Sequence, residues 1–125
     1  MKEMTVSTDR PPAWATLARA LEQRRPVRAR YHAAERILCP HALGWKNGRA
    51  KVLAYQVGGT TTRGPLPADP RQCWRSMFID EIESPIITDD SWATADNYGH
   101  NFNGIDHVEL QIDARQSALS KRYCP

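Results

Sequence analysis

The stretch from Arg36 to Tyr55, RILCPHALGWKNGRAKVLAY, limits the possible folds of this chain more than any other. Its Lys46-Asn47-Gly48 step lies between two apolar segments, and Asn-Gly favours the positive φ angles of a type I′ hairpin turn. After the turn, Lys51, Leu53, Tyr55 and Val57 alternate with Ala50, Val52 and Ala54. Both faces of Arg49 to Val57 are therefore largely apolar, as expected of a central strand. Before the turn, Arg36-Ile37-Leu38-Cys39 reads as a strand ending at Pro40, since proline suits a strand end or an edge.

The flanking segments extend the same pattern. Trp14, Leu17, Ala18 and Leu21 form one apolar stripe at helical spacing. Asp9-Arg10-Pro11-Pro12 offers a helix entry, and Arg24-Arg25-Pro26 closes the helix with cations and a residue that cannot continue it. In Val27-Arg28-Ala29-Arg30-Tyr31-His32, strict alternation puts Val27, Ala29 and Tyr31 on one face. Ala33-Ala34-Glu35 is then a short connection. Gly58 to Pro70 is proline- and glycine-rich and reads as a loop that is long for a hairpin. Cys73 to Ile79 is a fourth strand, and Asp80 to Ile87 is expected to bend and continue along the edge. Thr88 to Asn103 is polar, with Trp92, Tyr98 and Phe102 as anchors. Val108, Leu110 and Ile112 mark a last half-buried strand.

One helix followed by five short strands predicts a mainly β (α+β) fold, a small antiparallel barrel or strongly bent sheet. At 125 residues a single domain is expected. It would span 11–113, between a flexible N-terminus at 1–10 and a tail at 114–125. No apolar run approaches the roughly 18 residues of a membrane span, and the first residues lack the apolar centre of a secretory signal. Cys39, Cys73 and Cys124 are odd in number and widely spaced, which argues for thiols in a reducing cytoplasm.

Charge is segregated along the chain. Residues 1–75 hold 14 Lys and Arg against 5 Asp and Glu, whereas residues 76–114 hold 9 acids and no Lys or Arg. Either the basic front meets an anionic partner, or the two segments pair with each other on folding.

The order of motifs resembles that of the WYL domain, a bacterial module with an Sm-like small barrel. A helix ending in two arginines and Pro26 precedes Val27-x-x-x-Tyr31. Arg36-Ile37-x-x-Pro40-x-x-Leu43-Gly44, Asn47-Gly48, Val52-Leu53-Ala54-Tyr55 and Arg75-x-Met77-x-Ile79-Asp80-x-Ile82 follow. The resemblance covers about Leu17 to Ile87. The tripeptide that names the family falls near Ala50 to Leu53, where only the leucine is kept, and Glu81 stands where a basic residue is usual. The resemblance implies a free-standing regulatory module, without a helix-turn-helix, that senses a nucleic acid or nucleotide. It places Tyr31, Arg36, Pro40, Leu43, Leu53 and Arg75 at positions the family pattern favours.

The candidate ligand-binding residues are thus Tyr31, Arg36, His41, Lys51 and Arg75, with Arg30, Trp45 and Trp74 as additions. Arginine forks suit phosphate and aromatic rings can stack on bases. The bland reading is that Arg28 and Arg30 form a solvated strand face, that Tyr31 and Tyr55 line the core, and that Arg36 and Arg75 pair with the acids at 80–83. No cofactor and no metal are expected: Cys39-x-His41 is one loose pair, even with His32 and Cys73 near, whereas structural zinc wants four ligands. Catalysis is not expected either, since Cys39 and His41 lack an orienting third group and Asp80 and Glu81 point to opposite faces. The expected partners are single-stranded nucleic acid or a nucleotide. The alternative is a scaffold that binds a regulator protein or a second copy through the edge strand and the acidic segment from Asp80 to Asp96, depending on Ile86, Ile87 or Trp92.

Overall fold

The computed structural model describes residues 10–98 and 105–112. Predictions for Phe102, Cys124, residues 1–9 and the tail beyond 112 lie outside that range. The molecule is built on two long antiparallel strands, β2 (Ala34–Lys46) and β3 (Arg49–Thr61). Asn47 and Gly48 join them with φ of 50° and 80°, the positive pair that a type I′ turn demands.

Pro40 does not end the strand. It is buried inside β2, where the register passes from Pro40↔Ala54 to Ala42↔Leu53 and leaves His41 as the extra residue of a bulge. A bulge is where a sheet interior tolerates a residue without a backbone donor. Likewise, β3 runs through Gly58 to Thr61, where composition predicts a loop, and then folds back at a two-residue strand, β4 (Gly64–Pro65).

β1 (Val27–Tyr31) pairs with β2 through a tighter connection than predicted. His32 and Ala33 alone make the turn, at φ 50° and 64°, so Ala34 already faces Tyr31 across the sheet. On the other side of β3 lies β5 (Trp74–Phe78). The chain then makes a 3-10 turn at Ile79–Glu81 and crosses to the far edge, where β6 (Glu83–Ile87) pairs with β1. This corrects the expectation of a continued edge. Ile79 and Ile82, both buried, hold the crossing against the core.

The strand order β5-β3-β2-β1-β6 curls into a half-barrel, the mainly β, barrel-like architecture expected from sequence. β7 (His107–Gln111) lies along the second half of β2. Gly44 permits that approach, because a Cβ there would stand 2.1 Å from the His107 carbonyl oxygen.

The helix α1 (Ala13–Gln23) closes the concave side with Trp14, Leu17, Ala20 and Leu21. They pack with Val27, Ala29, Leu38, Leu43, Val52, Ala54, Met77 and Ile79 into the main core. No side chain caps its N-terminus, and Arg24 ends it in the left-handed conformation while the Arg25 amide donates to Ala20 O. Across the outer face runs an irregular strap, Thr88 to Tyr98. Its Trp92 and Tyr98 rings both rest on His41, at 4.9 and 5.0 Å.

Candidate functional site

The charge segregation resolves largely into pairing of the two segments. Every ion pair among the described residues joins the basic front to the acidic region. The pairs are Arg10–Glu109, Arg25–Asp89, Arg30–Glu83, His32–Glu81, Lys46–Asp106, Arg71–Asp96 and Arg49 with Asp80 and Glu81. Each is a surface pair, screened by solvent, and contributes little to stability. Their consequence is electrostatic: the acids at 80–83 are occupied by Arg49, His32 and Arg30.

Arg36 and Arg75 are not among these pairs. Neither has a carboxylate partner among the described residues, so the expected pairing with the acids at 80–83 does not occur. Cross-strand register shows which way they face. Arg36 lies opposite Ala29, Arg75 opposite Ala54 and Gln56 opposite Leu38. Ala29, Leu38 and Ala54 belong to the core. Directly opposed residues share a sheet face, so the two arginines and Gln56 sit on the concave side, at the end of the half-barrel.

Each guanidinium is held by its neighbours. Arg36 is only 4% exposed, and its Nε and Nη2 both donate to the Tyr31 carbonyl oxygen at 3.3 and 3.1 Å. Its Cζ also lies 5.3 Å from the Tyr31 ring centroid, within cation–π range. Arg75 donates from Nε to Gln56 Oε1 at 3.2 Å and from Nη1 to the Gln72 and Trp74 carbonyls. Gln56 is itself oriented, since its Nε2 donates to Gly58 O and Thr60 O at 2.9 and 2.8 Å. Burial and then the nearby Arg75 lower the Arg36 pKa, and burial raises that of the Tyr31 phenol. Two positive charges are thus fixed near each other in a partly desolvated corner. Such an arrangement favours an anion.

The other candidates lie elsewhere. Lys51 is buried, with Nζ 4.2 Å from the Phe78 ring, which Arg49 covers at 3.6 Å. Burial, then Lys46 and Arg49, push its pKa down. Arg30 is an exposed residue of β1 beside Glu83. Trp45 stacks on Trp14 and donates Nε1–H to Glu109. Trp74 donates to Asn97 and contacts His41, Tyr55 and Tyr98 under the strap.

His41 belongs to that second, aromatic cluster. It is fully buried, hydrogen-bonded from Nδ1 to Cys39 O at 2.7 Å, with Nε2 unpartnered. Burial pushes its pKa down to about 4 and that of the neighbouring Cys39 thiol up to about 12. Cys39 accepts a hydrogen bond from the Ala93 amide, and Cys73 is buried in the same patch. Among the described residues no three His, Cys, Asp or Glu side chains converge as metal ligands.

Of the sequence candidates, the fold brings together Tyr31, Arg36 and Arg75. It adds Gln56, which sequence reasoning missed. The signal was present: Ala50, Val52, Ala54 and Gln56 share one face of a central strand, and a lone amide on an apolar stripe calls for a partner. No family model matches the chain, and no curated protein or solved structure is significantly similar to it. No helix among the described residues is long and apolar enough to cross a membrane.

Proposed function

We propose that the protein is a WYL-like regulatory module that senses nucleic acid or a nucleotide-like anion at the Arg36–Arg75 corner, in the reducing cytoplasm. The observation that carries the reading is the buried, immobilised Arg36 beside Arg75, with the nearby acids taken by other cations. The motif order from Leu17 to Ile87 supports it independently, as does the small barrel-like fold. Tyr31 and Gln56 act by position, one carrying Arg36 and the other orienting Arg75. No catalytic step is assigned to the module, and neither a metal nor a cofactor enters the reading.

The reading is tested by titrating labelled oligothymidylate and mononucleotides into the protein at low salt. Binding at about 100 µM or tighter, weakening steeply with salt, is expected of phosphate contacts. Arg36→Gln and Arg75→Gln should each weaken it, while Arg28→Gln on the opposite face of β1 should not. An absence of binding in that range overturns the proposal. A second reading, self-association or docking of a regulator protein, is favoured by Ile86, 62% exposed on the edge strand β6. A concentration-dependent dimer in sedimentation, abolished by Ile86→Ser, would support it over the first.

A further inference from the structure

The two arginines differ from a general basic surface in how few donors they leave free, and in where those donors are. A guanidinium has five N–H groups. On Arg36, Nε and Nη2 are spent on the Tyr31 carbonyl, so Nη1 makes no bond among the described residues. On Arg75, Nε and Nη1 are spent on Gln56, Gln72 and Trp74, so Nη2 is the free end. The fully buried, unpartnered side-chain atoms among the described residues are His41 Nε2 and Thr94 Oγ1. The free ends of Arg36 and Arg75 therefore keep contact with solvent. What the corner offers is two guanidinium tips of fixed orientation, carrying two positive charges and, among the described residues, no carboxylate partner.

An internal phosphodiester carries one negative charge on two non-bridging oxygens. A phosphomonoester carries up to two, spread over three oxygens, with a second pKa of about 6. Two fixed cations that repel each other are neutralised by a dianion and only half neutralised by a diester. Resting on the anion-sensing reading above, we infer that Arg36 and Arg75 together recognise a terminal phosphate, the monoester end of a nucleotide or short strand or free phosphate. The strand interior is not the recognised group. A module of this kind reports broken or processed nucleic-acid ends, or a mononucleotide, by the charge of one group.

The test compares two short oligothymidylates that differ only in a 5′- or 3′-phosphate against a hydroxyl at that end, by fluorescence anisotropy at about pH 7.5. The phosphorylated strand should bind at least roughly tenfold tighter, the scale of one added charge-assisted contact. That preference should shrink at about pH 5.5, where the monoester gains a proton. Arg36→Gln and Arg75→Gln should each remove the preference. Amide spectra of both variants report folding, and the half-exposed Arg75 carries the test if the Arg36 variant is unfolded. Equal binding of the two strands overturns the inference and leaves anion sensing standing. Binding of neither overturns both. Competition with inorganic phosphate and thymidine monophosphate separates the sources: displacement by both at similar concentration identifies free phosphate, and displacement by the nucleotide at lower concentration identifies a nucleotide end.

Discussion

Acidification should destabilise this protein through His41, and the size of the effect follows from its surroundings. The ring is fully buried among Trp74, Trp92 and Tyr98, and its pKa falls from 6.5 to about 4, chiefly by burial. Bonded from Nδ1 to Cys39 O, the neutral ring turns an unpartnered Nε2 toward the aromatic cluster. A proton there would place a charge out of reach of water. The charged groups nearest in influence do not offset it: Arg24, at the end of α1, lowers the pKa further. Because the folded pKa is depressed, the unfolded chain binds the extra proton first. The stability that rests on a neutral His41 is complete above pH 6.5 and is lost as pH falls toward 4. The full difference corresponds to about 3 kcal/mol, of which about 2 is lost between pH 7 and 4.5. That is a large part of the roughly 5–15 kcal/mol of a typical domain. Urea unfolding at a series of pH values measures it, with His41→Phe as the reference that keeps a ring and cannot titrate. Glu81, held below its usual range by His32 and Arg49, responds at lower pH and in both proteins alike. Parallel stability curves for wild type and His41→Phe between pH 7 and 4.5 would refute the reasoning.

Three further outcomes follow from the packing. Gly44→Ala should destabilise the fold by about 1–3 kcal/mol, because its Cβ would meet the His107 carbonyl, and hydrogen exchange should show the loss concentrated in β7. Leu17→Ala, at a fully buried position of α1 facing the sheet, should cost about 2–5 kcal/mol in denaturant unfolding without changing the fold. The Cys39 thiol, pushed up to about 12 under Ala93, should resist alkylation at pH 8 in the native protein and react at the ordinary rate once unfolded.

What could be read from the chain was local. The Asn47-Gly48 turn, the Trp14-Leu17-Leu21 stripe and the alternation of Val27, Ala29 and Tyr31 each follow from a single residue preference or period, and each is found. What could not be read depends on partners distant in sequence. Pro40 inside β2 is tolerated only because β3 lies opposite a bulge, and nothing in residues 36–43 announces that bulge. His32 and Ala33 make a turn that glycine or asparagine usually makes, held by the pairing of Tyr31 with Ala34. The crossing of Ile79–Glu81 to the far edge depends on the burial of Ile79 and Ile82, not on any turn signal.

The candidate site divides in the same way. Arg36 and Arg75 were visible as cations at favoured positions, and Gln56 as an amide in an apolar strand. That Arg49 and His32, not Arg36, take up Asp80 and Glu81 is a result of register, which sequence does not state. Residue type alone groups His41 with the basic residues. Alternation along β2 puts it on the outer face with Cys39, where it is neutral and packed against rings.

The central claim is that Arg36 and Arg75 form one anion site, and the salt dependence of oligonucleotide binding tests it most directly. Plotted as the logarithm of the binding constant against that of salt concentration, wild type should give a steep negative slope. Arg75→Gln and Arg36→Gln should each lower that slope by about one. The double variant should bind no better than a control with both arginines intact at high salt. Slopes unchanged by either substitution, or affinity that follows Arg49 and Lys51 instead, would contradict the account.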